Sequence, residues 1–149
     1  MTTTPANQRR VDPRGLRVSA AITAAVLALV LVTPGPVNVM LLAVQVAVFV
    51  ISATSGLNRS PYAIFFAKVV RPRIGAPVEL EDSRPPRFAQ VVGLAFTTIA
   101  LVALLAGATT IGLIATGFAL VAALLNAAVG LCLGCELYLV IRRLAPAAA

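Results

Sequence analysis

Two cysteines near the end of the chain are the residues best suited to chemistry. Cys132 and Cys135 are the only cysteines in 149 residues, and they lie three apart in the stretch GLCLGCELY. In a C-x-x-C spacing the second thiol can attack a mixed disulfide made by the first, so the pair predicts a dithiol that cycles with a disulfide or carries a persulfide. On a helix Glu136 would neighbour Cys132 and could relay protons, although its negative charge makes the thiolate scarcer. These three residues are the candidate catalytic group.

The same stretch also supports a packing interpretation. Ala122, Asn126, Gly130 and Gly134 recur at every fourth position, which predicts a stripe of small residues along the fourth apolar helix. Such a stripe lets a second membrane helix approach closely. On this hypothesis the cysteines act only as small apolar residues. The two interpretations are compatible, because the cysteines would point to the opposite side of that helix.

Other sulfur chemistries fit the sequence less well. The chain has no histidine, so a zinc site would need carboxylates or a symmetric second copy to complete four ligands. Glu136 stands where the haem-attachment motif C-x-x-C-H has its histidine. Disulfide-generating quinone reductases with four helices also carry C-x-x-C, but they exchange with clients through a second cysteine pair, which is missing here. We therefore predict no metal and no cofactor.

The elements that must position the cysteines are membrane helices. The chain is 60% hydrophobic and 11% charged, and it contains four apolar segments close to the length that spans a hydrocarbon core. We predict an all-α polytopic membrane bundle of four transmembrane helices, forming one domain over residues 18–141 in contact with the lipid bilayer. The predicted helices are 18–33, 37–53, 89–106 and 110–131.

The basic residues all lie on one side of the predicted membrane topology. Every Lys and Arg lies before the first helix, in the loop 54–88, or after the fourth helix, and the two hairpins have none. Under the positive-inside rule the tails 1–17 and 142–149 and the central loop are cytoplasmic, in a multi-pass protein of the cell membrane. The net charge of +7 would also suit nucleic acid, but the basic residues lack the interleaved aromatics of a nucleic-acid-binding face.

The first half of the central loop predicts a short helix in the membrane interface. It opens with Ser60 and Pro61, a favoured start for a helix. Its aromatic and basic residues then recur at helical spacing, so aromatic rings would face acyl chains and cations would face anionic headgroups. A loop with a few buried aromatics is the alternative. The aromatic and apolar residues are Tyr62, Phe65, Phe66 and Val69, and the membrane-surface cations are Lys68, Arg71 and Arg73.

Two amide side chains are expected near the bilayer midplane. Gln45 lies in the second predicted helix and Asn126 in the fourth. An unpaired amide is costly there, so we expect the two to bond to each other, to backbone or to water. Interhelical bonding is one interpretation, and the lining of a substrate path is the other.

Several motifs along the chain are specific in combination. They are Val11-Asp12-Pro13-Arg14, Ser60-Pro61-Tyr62, residues 85–90, Gly117-Phe118-Ala119, Leu125-Asn126-Ala127-Ala128 and residues 132–136. Together they resemble a family described as a domain of unknown function, DUF4395, found largely in actinobacteria, and the resemblance runs from about Val11 to Arg143. It implies a four-helix membrane protein. Genes of the family often neighbour those for thioredoxin-like and sulfur-transfer proteins, which implies a thiol or sulfur link without naming a reaction.

Together these observations favour a membrane-embedded thiol-redox or sulfur-relay component. Its cysteine pair would exchange with a cytoplasmic thioredoxin-like protein or sulfurtransferase. A non-enzymatic membrane scaffold or subunit, with cysteines that merely pack, is the first alternative. The second is a small transporter of a sulfur species, assembled as a homo-oligomer because four short helices enclose little space.

The charge asymmetry predicts which loops face outward. In a background without Cys132 and Cys135, we expect Gly35→Cys and Ala108→Cys to react with an impermeant thiol reagent added to intact cells, because both hairpins lie outside. Asp82→Cys should react only after the membrane is opened. Labelling of Asp82→Cys in intact cells would overturn this topology.

Overall fold

The computed structural model describes residues 10–145, and its main elements are four long apolar helices. Each is long and apolar enough to cross a membrane, with a mean hydropathy of 2.1 to 2.2. The prediction of an all-α membrane bundle is confirmed, and the chain is a multi-pass membrane protein. Residues 1–9 and 146–149 of the two predicted tails lie outside the described residues. The four helices are α1 Pro13–Val32, α2 Pro36–Thr54, α5 Arg84–Leu105 and α6 Thr109–Val129.

Two of these helices begin about five residues before their predicted starts. Helix α1 begins at Pro13 and α5 at Arg84, where the sequence predicted residues 18 and 89. Hydropathy marks only the lipid-facing part of a helix, whereas proline in the first turn and the Asp12 cap allow the helix to start among charged residues. At their N-terminal ends, α1 and α5 therefore extend beyond the apolar segments that hydropathy marks.

The four spans form a ring. Helix α1 packs against α2 and α6, and α5 packs against the same two helices, so α2 and α6 lie across the ring from each other. We call the end where α1 and α5 begin the basic end, and the opposite end the hairpin end. Buried apolar residues fill the half nearer the hairpins. They are Leu27, Val30, Leu42, Ala100, Ala115 and Ala119.

The fourth predicted helix is interrupted, which corrects the predicted stripe. Helix α6 ends at Val129, and Gly130 follows with φ of 73° in the left-handed region. A new helix, α7, runs over Leu133–Leu144. Glycine enters this conformation without a side-chain penalty and so ends helices readily. The four small residues therefore do not share one helix face.

Helix α7 lies against the first turns of α5. A Cβ added to Gly134 would stand 2.6 Å from the Cα of Ala89, so the two backbones are in close contact. The rings of Phe88 and Tyr138 meet nearby, with centroids 5.7 Å apart. Gly134 is thus a close-packing position, as the small-residue pattern indicated, but its partner is α5.

The central loop contains the predicted helical stretch. Helix α3, Pro61–Phe65, passes through a π-helical turn at Phe66–Val70 into α4, Arg71–Ile74, after a 3₁₀ turn at Leu57–Arg59. The cations Lys68, Arg71 and Arg73 are exposed, as are Phe65 and Val69.

Two aromatic residues of this stretch point into the protein, against expectation. Phe66 is buried against Gly15 of α1, where an added Cβ would stand 2.9 Å from the ring. The Tyr62 hydroxyl donates a hydrogen bond of 2.8 Å to Gln45. The prediction that they face acyl chains is wrong, because Gly15 leaves room for a ring and Gln45 supplies a buried acceptor.

A short antiparallel strand pair closes the basic end. Strand β1, Arg10–Val11, pairs with β2, Glu81–Asp82, with Arg10 opposite Asp82. The side chain of Val11, in β1, is buried. The sequence pattern did not predict these strands, which are too short to show an alternation.

Arginines cover two helix ends at the basic end. The guanidinium of Arg17 on α1 donates to the carbonyls of Ala127 and Ala128, at 3.1 and 3.0 Å. The guanidinium of Arg87 on α5 donates to those of Ala53 and Thr54, at 2.7 and 3.0 Å. The last carbonyls of a helix lack partners within it and carry partial negative charge, so these cations satisfy and stabilise α6 and α2.

The contact at Gly134 predicts an asymmetric response to one added methyl group. Gly134→Ala should lower stability by about 1–3 kcal/mol, because the added Cβ meets the backbone of Ala89, which cannot move aside without shifting α5 away from α7. Gly117→Ala is the matched control, since nothing lies within 4 Å of an added Cβ there. That change should be neutral or stabilising. Thermal unfolding in detergent, followed by circular dichroism, measures both, and equal midpoints would show that α7 does not pack closely on α5.

Candidate functional site

The predicted cysteine pair is brought together at the break between α6 and α7. Cys132 and Cys135 form a disulfide, with their Cα atoms 5.1 Å apart. Both residues are half-buried. The pair therefore lies where one side can meet the protein interior and the other a partner.

Helix α7 sets the environment of the sulfurs. Cys132 is its N-cap residue, in an extended conformation, and the Cys132 Sγ accepts a hydrogen bond of 3.3 Å from the backbone N–H of Cys135. The start of α7 therefore places backbone N–H groups that have no partner within the helix beside the Cys132 sulfur. Sequence reasoning treated a continuous helix as the basis for the pair's geometry and so missed this feature. Gly130 was the signal that could have revealed it.

Glu136 occupies the first turn of the same helix. Its backbone N–H donates to the carbonyl of Cys132 at 3.0 Å, and its side chain is exposed. A carboxylate in the first turn stabilises α7 through the helix dipole. Its role as a proton relay stays a prediction.

A cavity of about 800 Å³ lies in the basic half of the bundle, and both cysteines border it. Helices α1, α2, α5 and α6 and the start of α7 form its walls, and the strand pair and α3 line its basic end. Its lining combines apolar side chains with polar and charged ones, and the charged residues Arg10, Asp12, Arg17, Arg71 and Glu81 lie toward the basic end. The polar lining includes Ser19, Thr23, Ser52, Gln90 and Asn126.

The two predicted membrane amides have separate environments. Asn126 lines the cavity one turn before Gly130. Gln45 is fully buried, accepts from Tyr62 and donates to the Thr23 hydroxyl at 3.4 Å. The expectation that they bond to each other is wrong, because α2 and α6 lie across the ring. Burial raises the pKa of Tyr62, which keeps its phenol available as a donor to Gln45.

An ion pair between Asp12 and Arg14 links the start of α1 to the end of α4. The Asp12 carboxylate accepts hydrogen bonds from the Arg14 backbone N–H at 2.9 Å and from its guanidinium at 3.0 Å. The same guanidinium donates to the carbonyl of Gly75 at 3.0 Å, at the end of α4. Burial alone would raise the pKa of Asp12, but the hydrogen bonds from Arg14, with the charges of Arg14 and Arg71, lower it below the ordinary value.

The described residues, 10–145, contain no cluster of metal-ligating side chains. Within residues 10–145, no three His, Cys, Asp or Glu side chains come together as they would around a metal ion.

The fold and the site define a four-span helical membrane protein with a C-x-x-C disulfide at the wall of an internal cavity. The model of the family described as "Domain of unknown function (DUF4395)" matches residues 11–143. The chain belongs to this family, which confirms the resemblance seen in its motifs. Comparison with curated proteins and with solved structures produced no match.

The ion pair between Asp12 and Arg14 predicts that the charge of Asp12 affects how easily the central loop is cleaved by a protease. Because the folded pKa lies below the ordinary value of 3.8, the contact stabilises the protein fully above that value and is lost as the pH falls through the lowered pKa. At neutral pH, Asp12→Asn should remove it and make trypsin cleave faster after the exposed Arg73. Asp82→Asn, at an exposed carboxylate of β2, is the control and should change the cleavage rate little. Equal rates in both variants would contradict the fastening role of Asp12.

Proposed function

We propose that the protein is a membrane thiol–disulfide relay that uses Cys132 and Cys135. The observation that carries this proposal is the position of the disulfide: at a helix N-terminus, half-buried, on the wall of a cavity. A pair that only packed would not need a helix start at one sulfur or a cavity beside it. The 12-residue helix α7 provides both a thiolate-stabilising end and a firm attachment to α5.

The helix start gives the two cysteines different roles. Cys132, as the N-cap residue, is the sulfur that exchanges with the partner. Cys135, in the first turn, resolves the mixed disulfide. In the reducing direction a partner thiolate attacks Cys132 and Cys135 leaves as a thiolate; the partner's second thiol then attacks the mixed disulfide. Two electrons and two protons move from the partner dithiol to the cysteine pair.

The one-sided charge supports a cytoplasmic partner. With the basic end in the cytoplasm, both termini and the cysteine pair face that compartment. Disulfides in reducing compartments are typically transient and catalytic, which favours cycling over a permanent cross-link. A thioredoxin-like protein is the expected partner. A sulfurtransferase would instead transfer the outer (sulfane) sulfur of its own cysteine persulfide to the Cys132 thiolate, which leaves a persulfide on Cys132 and releases the sulfurtransferase cysteine as a thiolate.

The proposed roles predict which single-cysteine variant traps the partner. In cells, Cys135→Ser leaves the exchanging thiol without its resolving partner, so a mixed disulfide should accumulate on Cys132. Cys132→Ser retains only the resolving thiol and should trap several-fold less. Non-reducing electrophoresis followed by mass spectrometry identifies the attached protein, or a single added sulfur atom on Cys132.

A matched redox titration checks the same proposal in the purified protein. The wild-type pair should shift between alkylated and unalkylated forms as the ratio of reduced to oxidised glutathione is changed. Two thiols that stay inert over the whole range, together with no trapped adduct in either variant, would show that the cysteines only pack. The scaffold alternative would then be favoured.

A further inference from the structure

We infer that the cavity admits a membrane-soluble quinone, which reoxidises the reduced cysteine pair. This inference rests on the proposed thiol–disulfide function and names the electron acceptor for the same site.

We place a lateral opening of the cavity at the seam between α5 and α6, beside residues that line the cavity and are also exposed. Near the hairpin end these helices touch, because a Cβ on Gly112 would stand 2.8 Å from the Leu104 side chain and 3.1 Å from the Ala100 carbonyl. Further toward the basic end Phe96 and Phe118 line the cavity and are also 37% and 63% exposed. Residues that border a cavity and face lipid at once mark a lateral opening, here within the apolar span.

The lining beside this opening suits a flat ring with polar edges. The Phe96 and Phe118 rings, 6.3 Å apart, provide aromatic surface at the entrance. Ala122 and Ala123 leave room for a planar group behind them. Gln90 on α5 and Asn126 on α6 supply amide N–H donors on the two helices that flank the opening.

Hydrogen bonding within the protein leaves these amides available. Neither side chain makes a hydrogen bond with another group in the part of the chain that the structure describes, residues 10–145. The two donors lie on neighbouring helices of the ring, beside the aromatic pair, where they can donate to a carbonyl oxygen of a quinone. A volume of about 800 Å³ lies within the usual size of sites for small organic molecules.

The chemistry of the cysteine pair selects the same class of molecule. A dithiol becomes a disulfide by losing two electrons and two protons, so its oxidant must accept both. An acceptor that arrives through lipid must also dissolve in it. In the step, the S–S bond forms between Cys132 and Cys135, and the two quinone oxygens take up the electrons and protons to give a hydroquinone.

This arrangement removes the need for a second cysteine pair. The sequence argued against a quinone-linked enzyme because a second pair is missing, but here the single pair borders the cavity and is half-exposed. It can therefore meet a cytoplasmic partner and a quinone in turn. Electrons would pass from the partner dithiol through the pair to the quinone.

The test uses the full chain in lipid nanodiscs, reduced and kept without oxygen. Decylubiquinone is the probe, because its fully substituted ring cannot be attacked by thiols at carbon. We expect one hydroquinone per protein, read by absorbance, with the loss of both free thiols. Ala122→Phe, which fills the cavity, should slow the reaction by about tenfold or more. Val121→Phe is the matched control, since Val121 is 54% exposed on the neighbouring position, and it should react as wild type does.

A water-soluble oxidant separates the two proposals. Oxidised glutathione should oxidise wild type and both variants at equal rates, which also shows that Ala122→Phe is folded. Asn126→Leu is a second variant, which should raise the quinone concentration at half-maximal rate and leave the glutathione reaction unchanged. If glutathione disulfide oxidises the pair and decylubiquinone does not, or if Ala122→Phe has no effect on the quinone rate, the quinone inference is overturned and the relay stands. If neither reagent oxidises the pair, both proposals fail.

Discussion

The basic half of this protein depends on hydrogen bonds from arginine side chains to the last backbone carbonyls of two helices. Helices α2 and α6 both end here, and each leaves carbonyls without intrahelical partners. Arg87 and Arg17 donate to these carbonyls from neighbouring helices of the ring. Each contact joins the start of one span to the end of another, so the four helix ends are held in register. The cations that set the charge asymmetry are thus also part of the packing.

The site follows from that arrangement. Because Arg17 covers the end of α6, the chain can leave the helix at Gly130 and start α7 with Cys132 as its cap. The buried apolar cluster fills only the hairpin half, so the basic half keeps a cavity between helices that are linked at their ends. The strand pair and the Asp12 contact lie at the basic end of that cavity. The disulfide therefore lies on a wall whose helix ends are held by arginine side chains that donate to backbone carbonyls.

The segment GLCLGCELY contains both a close helix contact, at Gly134, and the disulfide between Cys132 and Cys135. Gly134 brings α7 into backbone contact with Ala89, which holds the helix against α5. Cys132 and Cys135 lie on the same short helix start and border the cavity. The close contact holds in place the helix start that carries both sulfurs. The small residues act as structural support for the cysteines.

The sequence by itself determined the four spans, the one-sided basic charge, the cysteine pair and the family, because hydropathy, charge and motifs are properties of the chain read locally. It did not determine that Gly130 breaks the fourth helix, since glycine fits both a helix and a left-handed turn until a cap such as Arg17 selects one. The partners of Gln45 likewise depend on ring order, which places α6 across from α2 and brings Tyr62 from the loop. The cavity is a gap between helices, and only their tertiary contacts decide where such a gap remains.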